Sequence, residues 1–238
     1  FVSQHGPDVY RQLLADVDVA LPISERWQAR LLELGGAPEK IHLHRMGVDC
    51  ERYGFLARAL PDRGPIRLLS VARLVEKKGI EYAIEALPEI VKRHPNVVYL
   101  LLGATHPHLV AREGETYRLG LERLAEDRGV KEHVIFYNRF VSMEDLKEFI
   151  GATDIYVTPY LNEAQMTSGT LAYSFGLGKA VVSTPYWHAQ ELLANGRGIL
   201  VPFGDASAIG AEISGLLTND VLRHAMRKRA YANSRSMV

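Results

Sequence analysis

Arg73 and Lys78 stand five positions apart in Val71-Ala72-Arg73-Leu74-Val75-Glu76-Lys77-Lys78-Gly79, where an apolar run gives way to a short turn that enters a helix. Two cations beside a helix start suit a diphosphate, because charge-assisted hydrogen bonds from the side chains add to the positive end of the helix. The spacing serves two solvated surface cations equally well. A second polar stretch, Thr158-Pro159-Tyr160-Leu161-Asn162-Glu163-Ala164-Gln165-Met166-Thr167-Ser168-Gly169-Thr170, also runs into a helix. Gly169 lets a ligand approach the backbone, while Ser168 and Thr170 offer hydroxyl and N–H groups to a phosphate. Thr167 and Ser168 are equally ordinary helix N-caps. Glu163 is a carboxylate that can accept hydrogen bonds from sugar hydroxyls, or stay a solvated charge.

The histidines attract attention for metal or acid–base chemistry, and most have plainer readings. His106 and His108 flank Pro107 and read as an exposed loop pair. His42 and His44 share one face of a strand, and two imidazoles without a third ligand do not make a zinc site. His188 follows Tyr186-Trp187 in a segment expected to face the cleft, where it is a candidate for ligand contact. Glu191 reads as a helix cap, and Tyr156 and Tyr160 as packing residues.

Composition narrows the partners. Lys+Arg and Asp+Glu are equal at 28 each, so no global field draws the chain to nucleic acid or to an anionic membrane. Any phosphate recognition therefore rests on local groups. The single cysteine, Cys50, has no partner for an internal disulfide, which fits a reducing compartment. No apolar run approaches the ~20 residues of a membrane-spanning helix. The chain opens on Phe1-Val2-Ser3 without Met and closes on Arg235-Ser236-Met237-Val238, which reads as a portion of a longer protein.

Positioning these residues falls to a repeated strand-then-helix pattern. A short amphipathic helix over Asp8–Ala15 precedes an apolar stretch, Val17–Pro22, that reads as a buried strand. Ser24 caps a helix over Glu25–Leu34, ended by Gly35-Gly36. Ile41–His44 alternates like a strand, and Tyr53–Gly64 reads as a linker. From Ile66 the expected strands are Ile66–Val71, Val97–Leu102, Val134–Phe136, Ile155–Val157, Ala180–Ser183 and Ile199–Val201. Helices are expected over Gly79–His94, Glu115–Asp127, Ser142–Ile150, Thr170–Leu177 and His188–Ala194, with two more finishing the chain. Near-continuous apolar strands alternating with helices mean an α/β fold, a parallel sheet covered on both faces. Ligands of such sheets bind beyond the carboxyl ends of the strands, so the loops after the first, third and fourth strands are expected to form one wall.

With those elements in place, several short segments resemble the retaining glycosyltransferases of family 4 (group 1), of GT-B fold. Arg73-Leu74 with Lys78-Gly79 resembles the family's arginine–lysine signature. Met46-Gly47-Val48-Asp49 is similar to its inter-domain turn, and Ile23-Ser24-Glu25 to a helix start near the end of its N-terminal domain. Asp154 to Pro159 followed by Glu163, Gly178-Lys179-Ala180-Val181-Val182 and Gly198-Ile199-Leu200-Val201-Pro202 are similar to three later segments, in the same order. The resemblance implies one complete Rossmann-like domain, 66–238, a linker at 48–65, and at 1–47 the end of an incomplete acceptor-side domain. It implies transfer of a hexose from a nucleotide-diphosphate sugar to an acceptor hydroxyl, without a metal or other cofactor. Arg73 and Lys78 would neutralise the diphosphate and leaving group. Glu163 would contact the donor sugar, the turn at Thr167, Ser168, Gly169 and Thr170 would meet the phosphates, and Asn138, Arg139 and Phe140 would border the base.

One departure accompanies the likeness. The family's second glutamate, which holds the ribose, falls at Tyr173 when counted back from Gly178-Lys179 and at Leu171 when counted forward from Glu163. Neither is acidic, and the disagreement of the two counts implies a longer loop. The histidine and glycine-rich loop that complete the family's machinery lie in its N-terminal domain, to which His5-Gly6 bears only a superficial likeness. The expectation is a cytoplasmic glycosyltransferase, reaching the inner membrane face through its acceptor-side domain, acting on a glycan or lipid-linked acceptor and not on nucleic acid. The alternatives are a degenerate nucleotide-sugar-binding module, motivated by Tyr173, or a GT-B epimerase or phosphorylase.

Overall fold

Six of the apolar runs between Ile66 and Leu200 pair side by side in a single sheet. The computed structural model describes residues 7–47, 49, 54–55, 64–105 and 107–237. It divides into two compact units, residues 1–47 with Met237 and residues 48–236. His5, Gly6, Val48, Cys50 and His106 lie outside the described residues, as does most of the expected linker.

In the larger unit the strands are β1 (Ile66–Val71), β2 (Val97–Leu102), β3 (Val134–Tyr137), β4 (Ile155–Thr158), β5 (Ala180–Ser183) and β6 (Ile199–Leu200). All neighbours are parallel and the order is β3-β2-β1-β4-β5-β6. Parallel neighbours need crossovers, and helices lie in them: α3 (Ile80–Arg93), α4 (Pro107–Glu113), α5 (Thr116–Asp127), α6 (Met143–Gly151), α7 (Gly169–Gly176) and α8 (Trp187–Leu192), while α9 (Ala206–Thr218) and α10 (Asp220–Ser234) follow the last strand. Alternation along the strands sends Leu68, Tyr99, Ile155 and Val182 into a cluster with Ile84 and Leu87 of α3, Leu121 of α5 and Ile213 of α9. Tyr156 belongs to the other face, where its hydroxyl donates to Thr170 of α7 at 2.8 Å. Burial on both faces explains why β4 and β5 read as apolar runs without a charged residue.

Buried polar residues pin this arrangement. Asp154, just before β4, accepts the Arg67 N–H at 2.8 Å while its own N–H donates to the Arg67 carbonyl, which locks β4 beside β1. Lys179 is wholly buried and gives its ammonium to the carbonyls of Gly151 (2.6 Å) and Thr153 (3.1 Å) at the C-terminal end of α6, where a cation complements the helix dipole. Arg227 and Arg235 of the α10 region donate to the carbonyls of Gly178 and Gly176, closing the turn after α7.

The smaller unit holds α1 (Pro7–Asp16) and α2 (Glu25–Glu33), the latter capped by Ser24, whose hydroxyl accepts the Trp27 N–H at 3.2 Å. Its two expected strands are not formed. Ala20 and Ile41 make one parallel bridge, and Val19 and Leu21 are 51% and 58% exposed, so Val17–Pro22 is not a regular strand and is buried only in part. In the larger unit, His108 belongs to α4 rather than to a loop, because Pro107 occupies a helix's first position, where its missing N–H costs nothing.

Candidate functional site

β1 and β4 lie side by side, yet the chain leaves them in opposite directions, towards β2 and β3 on one side and β5 and β6 on the other. That reversal parts the loops at their carboxyl ends and opens a crevice there. The turn after β1 and the loop after β4 form its lips and are bonded to each other. Leu161 donates its N–H to the Lys77 carbonyl at 3.0 Å. Gly79 has φ +61°, and a Cβ there would stand 2.1 Å from the Pro159 carbonyl, so the two backbones meet only because this residue lacks a side chain. Gly103, after β2, plays the same part against the Ala72 carbonyl, 2.0 Å from where its Cβ would be.

Arg73 is exposed on the first lip and makes no ion pair or hydrogen bond among the described residues. Lys78 is half-buried, its ammonium 3.5 Å from the centroid of the Tyr160 ring. Tyr160 in turn stacks on Tyr186, centroids 5.0 Å apart and rings inclined by 18°. Tyr160 is thus a packing residue as expected, and also a platform that holds Lys78 at the crevice. No spacing rule reveals it, since Lys78, Tyr160 and Tyr186 come from three different loops.

The second lip leads into α7. Ser168, not Thr167, is the N-cap, accepting the Leu171 N–H at 3.3 Å, while Thr167 gives its carbonyl to the Gln165 side chain. The Thr170 hydroxyl donates to the Val71 carbonyl at 3.4 Å, which anchors the start of α7 over the end of β1. The N–H groups of Gly169 and Thr170 have no acceptor among the described residues. Arg73, Lys78, Ser168, Gly169 and Thr170 are therefore gathered around one switch point, with two cations and a helix N-terminus available to an anion. Glu163 is exposed on the loop before α7, and its carbonyl accepts the Trp187 N–H at 2.9 Å.

His188 is buried, and its Nδ1 accepts the Ser168 N–H at 2.9 Å. Burial depresses its pKa to about 4, so the ring is neutral near pH 7 and its Nδ1 lone pair is directed at the protein backbone. Where the sequence suggested a ligand contact, the structure shows this bond to the protein through Nδ1. Glu191 is not a cap at a helix start. It lies in the last turn of α8, where its carbonyl accepts Arg197 at 2.8 Å.

Asn138, Arg139 and Phe140 are exposed after β3. β3 is an edge strand, two places from β1, so these residues stand roughly 10 Å out along the sheet rather than at the switch point. Beside them Glu115, not anticipated from the sequence, accepts Thr105 (2.7 Å) and Arg118 (3.1 Å). The Thr105 bond, then Arg118 and Asn138, hold its carboxyl below the usual range. Of the two positions counted for the missing glutamate, Leu171 is wholly buried and Tyr173 is half-buried. A cavity of about 300 Å³ opens between Leu74 and Lys77 of the β1 turn, Thr105, Leu109 and Tyr117. Among the described residues no group of three or more His, Cys, Asp or Glu is placed to hold a metal ion.

This geometry has counterparts. Residues 57–233 match the family model for glycosyl transferases, group 1. The amylovoran biosynthesis glycosyltransferase AmsK of Erwinia amylovora is 32% identical over 215 residues, 88% of this chain and 50% of AmsK. Among solved structures, HepE of Anabaena in complex with UDP and glucose superposes with a TM-score of 0.74 at 18% identity, covering 100% of this chain and 64% of that one. The C-terminal domain of the group 1 protein LpcC from Francisella tularensis superposes with a TM-score of 0.66 at 19% identity, covering 80% of this chain and 97% of the domain. The chain spans about half the length of the curated relatives it matches. With a matched segment covering most of its length and the sheet order and crevice of the GT-B fold, the chain belongs to the group 1 glycosyl transferases.

Proposed function

We propose that this chain supplies the donor-binding half of a retaining glycosyltransferase that moves a hexose from a nucleotide-diphosphate sugar to an acceptor hydroxyl. The observation that carries the reading is the gathering of Arg73, Lys78 and the α7 N-terminus at the β1/β4 switch point. There the two cations offset the diphosphate's charge and the charge that grows on it as the glycosidic bond breaks, a task that needs no metal. The free N–H groups of Gly169 and Thr170 take phosphate oxygens, and Glu163 accepts bonds from the sugar hydroxyls. Asn138, Arg139 and Phe140 border the base at the far end of an extended nucleotide. Residues 1–47 belong to the acceptor-side domain, and residues 66–238 to the donor domain. The likeness to AmsK favours polysaccharide or glycoconjugate synthesis in the cytoplasm, on a glycan or lipid-linked acceptor.

Titration calorimetry of UDP, GDP and ADP tests the site. At least one binds the full-length protein, and Arg73→Ala with Lys78→Ala weakens it by ~100-fold or more, as the loss of two charge-assisted contacts requires. Absence of binding by all three sinks the reading. Tyr173, standing where the family places a ribose-binding carboxylate, favours a second reading, a binding module without turnover. Release of free nucleoside diphosphate from a nucleotide sugar, abolished in Glu163→Ala, separates the enzyme from the module.

A further inference from the structure

The loop bearing Glu163 and Ser168 is not held by its own helix alone. The segment after β5 runs beside it and is bonded to it along its length. The Thr184 hydroxyl donates to the Tyr160 carbonyl. Trp187 N–H donates to the Glu163 carbonyl at 2.9 Å, and His188 N–H to the Gln165 carbonyl at 3.3 Å. The last bond runs the other way, from Ser168 N–H to His188 Nδ1 at 2.9 Å. His188 therefore both donates to and accepts from the loop, at positions three residues apart, and its imidazole holds the backbone N–H at the N-cap of α7.

We propose that His188 is a positioning residue for the donor site: by holding Ser168 N–H it sets the α7 N-cap, and with it the N–H groups of Gly169 and Thr170, in the geometry that receives the diphosphate. The inference rests on the donor-site reading above. Ser168 is the hinge of the argument. Its hydroxyl caps Leu171, and its backbone is fixed from behind by the imidazole. A neutral imidazole suits the task, since only an unprotonated Nδ1 can accept an N–H. A shape-matched apolar residue at 188 leaves the Ser168 N–H buried and unpaired, and the loop can recover that bond only by moving. Asparagine carries a carbonyl oxygen at nearly the position of Nδ1 and preserves the acceptor.

The test compares wild type, His188→Leu and His188→Asn in the full-length protein, titrated with UDP, GDP and ADP. The expected result is roughly tenfold weaker binding of the nucleotide in His188→Leu, near-wild-type binding in His188→Asn, and binding of the nucleoside without phosphates unchanged in proportion. With a nucleotide sugar as substrate the change falls on KM for the donor more than on kcat. Amide hydrogen exchange supplies a measurement that does not depend on ligand: Ser168 N–H exchanges faster in His188→Leu and slowly in His188→Asn, while the β1 and β5 amides stay protected. Unchanged affinity in a folded His188→Leu, or Ser168 exchange that does not respond, overturns the proposal and leaves the donor site standing. Wild-type protein that binds none of the three nucleotides overturns the donor site itself, and the positioning role with it.

Discussion

Lys78 carries its charge 3.5 Å from the centre of the Tyr160 ring, and that placement decides what substitutions at Tyr160 do. Phenylalanine keeps the ring face and leaves nucleotide-diphosphate affinity near wild type. Leucine removes the platform and weakens binding by about fivefold, the equivalent of about 1 kcal/mol for a cation–π contact; calorimetry on the two variants checks it. His188 carries a different kind of consequence. Its folded pKa, about 4, lies below the ordinary 6.5, because burial disfavours the charged ring. As pH falls through 6.5 the unfolded chain takes up a proton that the folded chain refuses, so stability drops between about 6.5 and 4 and levels off below. The loss reaches up to roughly 3 kcal/mol. Thermal unfolding at a series of pH values should show this slope in wild type and a shallower one in His188→Asn. If both proteins respond alike, the imidazole is not the source. The sequence singles out His188 as a residue of the cleft, but nothing in it marks the partner, twenty positions earlier.

At the scale of elements, the two lips of the crevice are joined through glycine. Gly79→Ala combines φ +61° with a Cβ 2.1 Å from the Pro159 carbonyl, a backbone atom that cannot swing aside. It should lower stability by ~1–2 kcal/mol or more. Gly120, inside α5 with nothing within 4 Å of an added Cβ, is the control, and Gly120→Ala should raise stability by about 0.5–1 kcal/mol. Denaturant midpoints of the two variants moving in opposite directions bear this out, and a neutral Gly79→Ala counts against it. The sheet itself was legible because its central strands are largely buried on both faces: the bounds of β1, β2 and β5 follow from the apolar runs alone. The same rule misled at Val17–Pro22, since an apolar run becomes a strand only where neighbours exist to pair with it. α4 escaped notice because its seven residues, opening on Pro107-His108, are too few to show a helical period. The cations and the α7 turn were legible as residue types. Their convergence was not, because it depends on β1 and β4 being adjacent, and strand order is a tertiary property.

For the whole molecule, equal numbers of acidic and basic residues mean that attraction to an anionic donor acts only at short range. Raising salt from 50 to 500 mM should therefore slow association of a nucleotide diphosphate only modestly, by less than about tenfold, while raising Kd through the exposed Arg73. Stopped-flow association measured across that range decides it; a steep salt dependence means a local field stronger than the residues described here supply. No helix among the described residues is long and apolar enough to cross a membrane. Trp187 donates its backbone N–H to Glu163 at the crevice, and the only other tryptophan, Trp27, lies in the smaller unit. Replacing Trp27 with phenylalanine would leave Trp187 as this chain's one tryptophan, excitable at wavelengths where its tyrosines do not absorb, on the strap that braces the donor loop. The protein would then report its own occupancy by light, with no label attached.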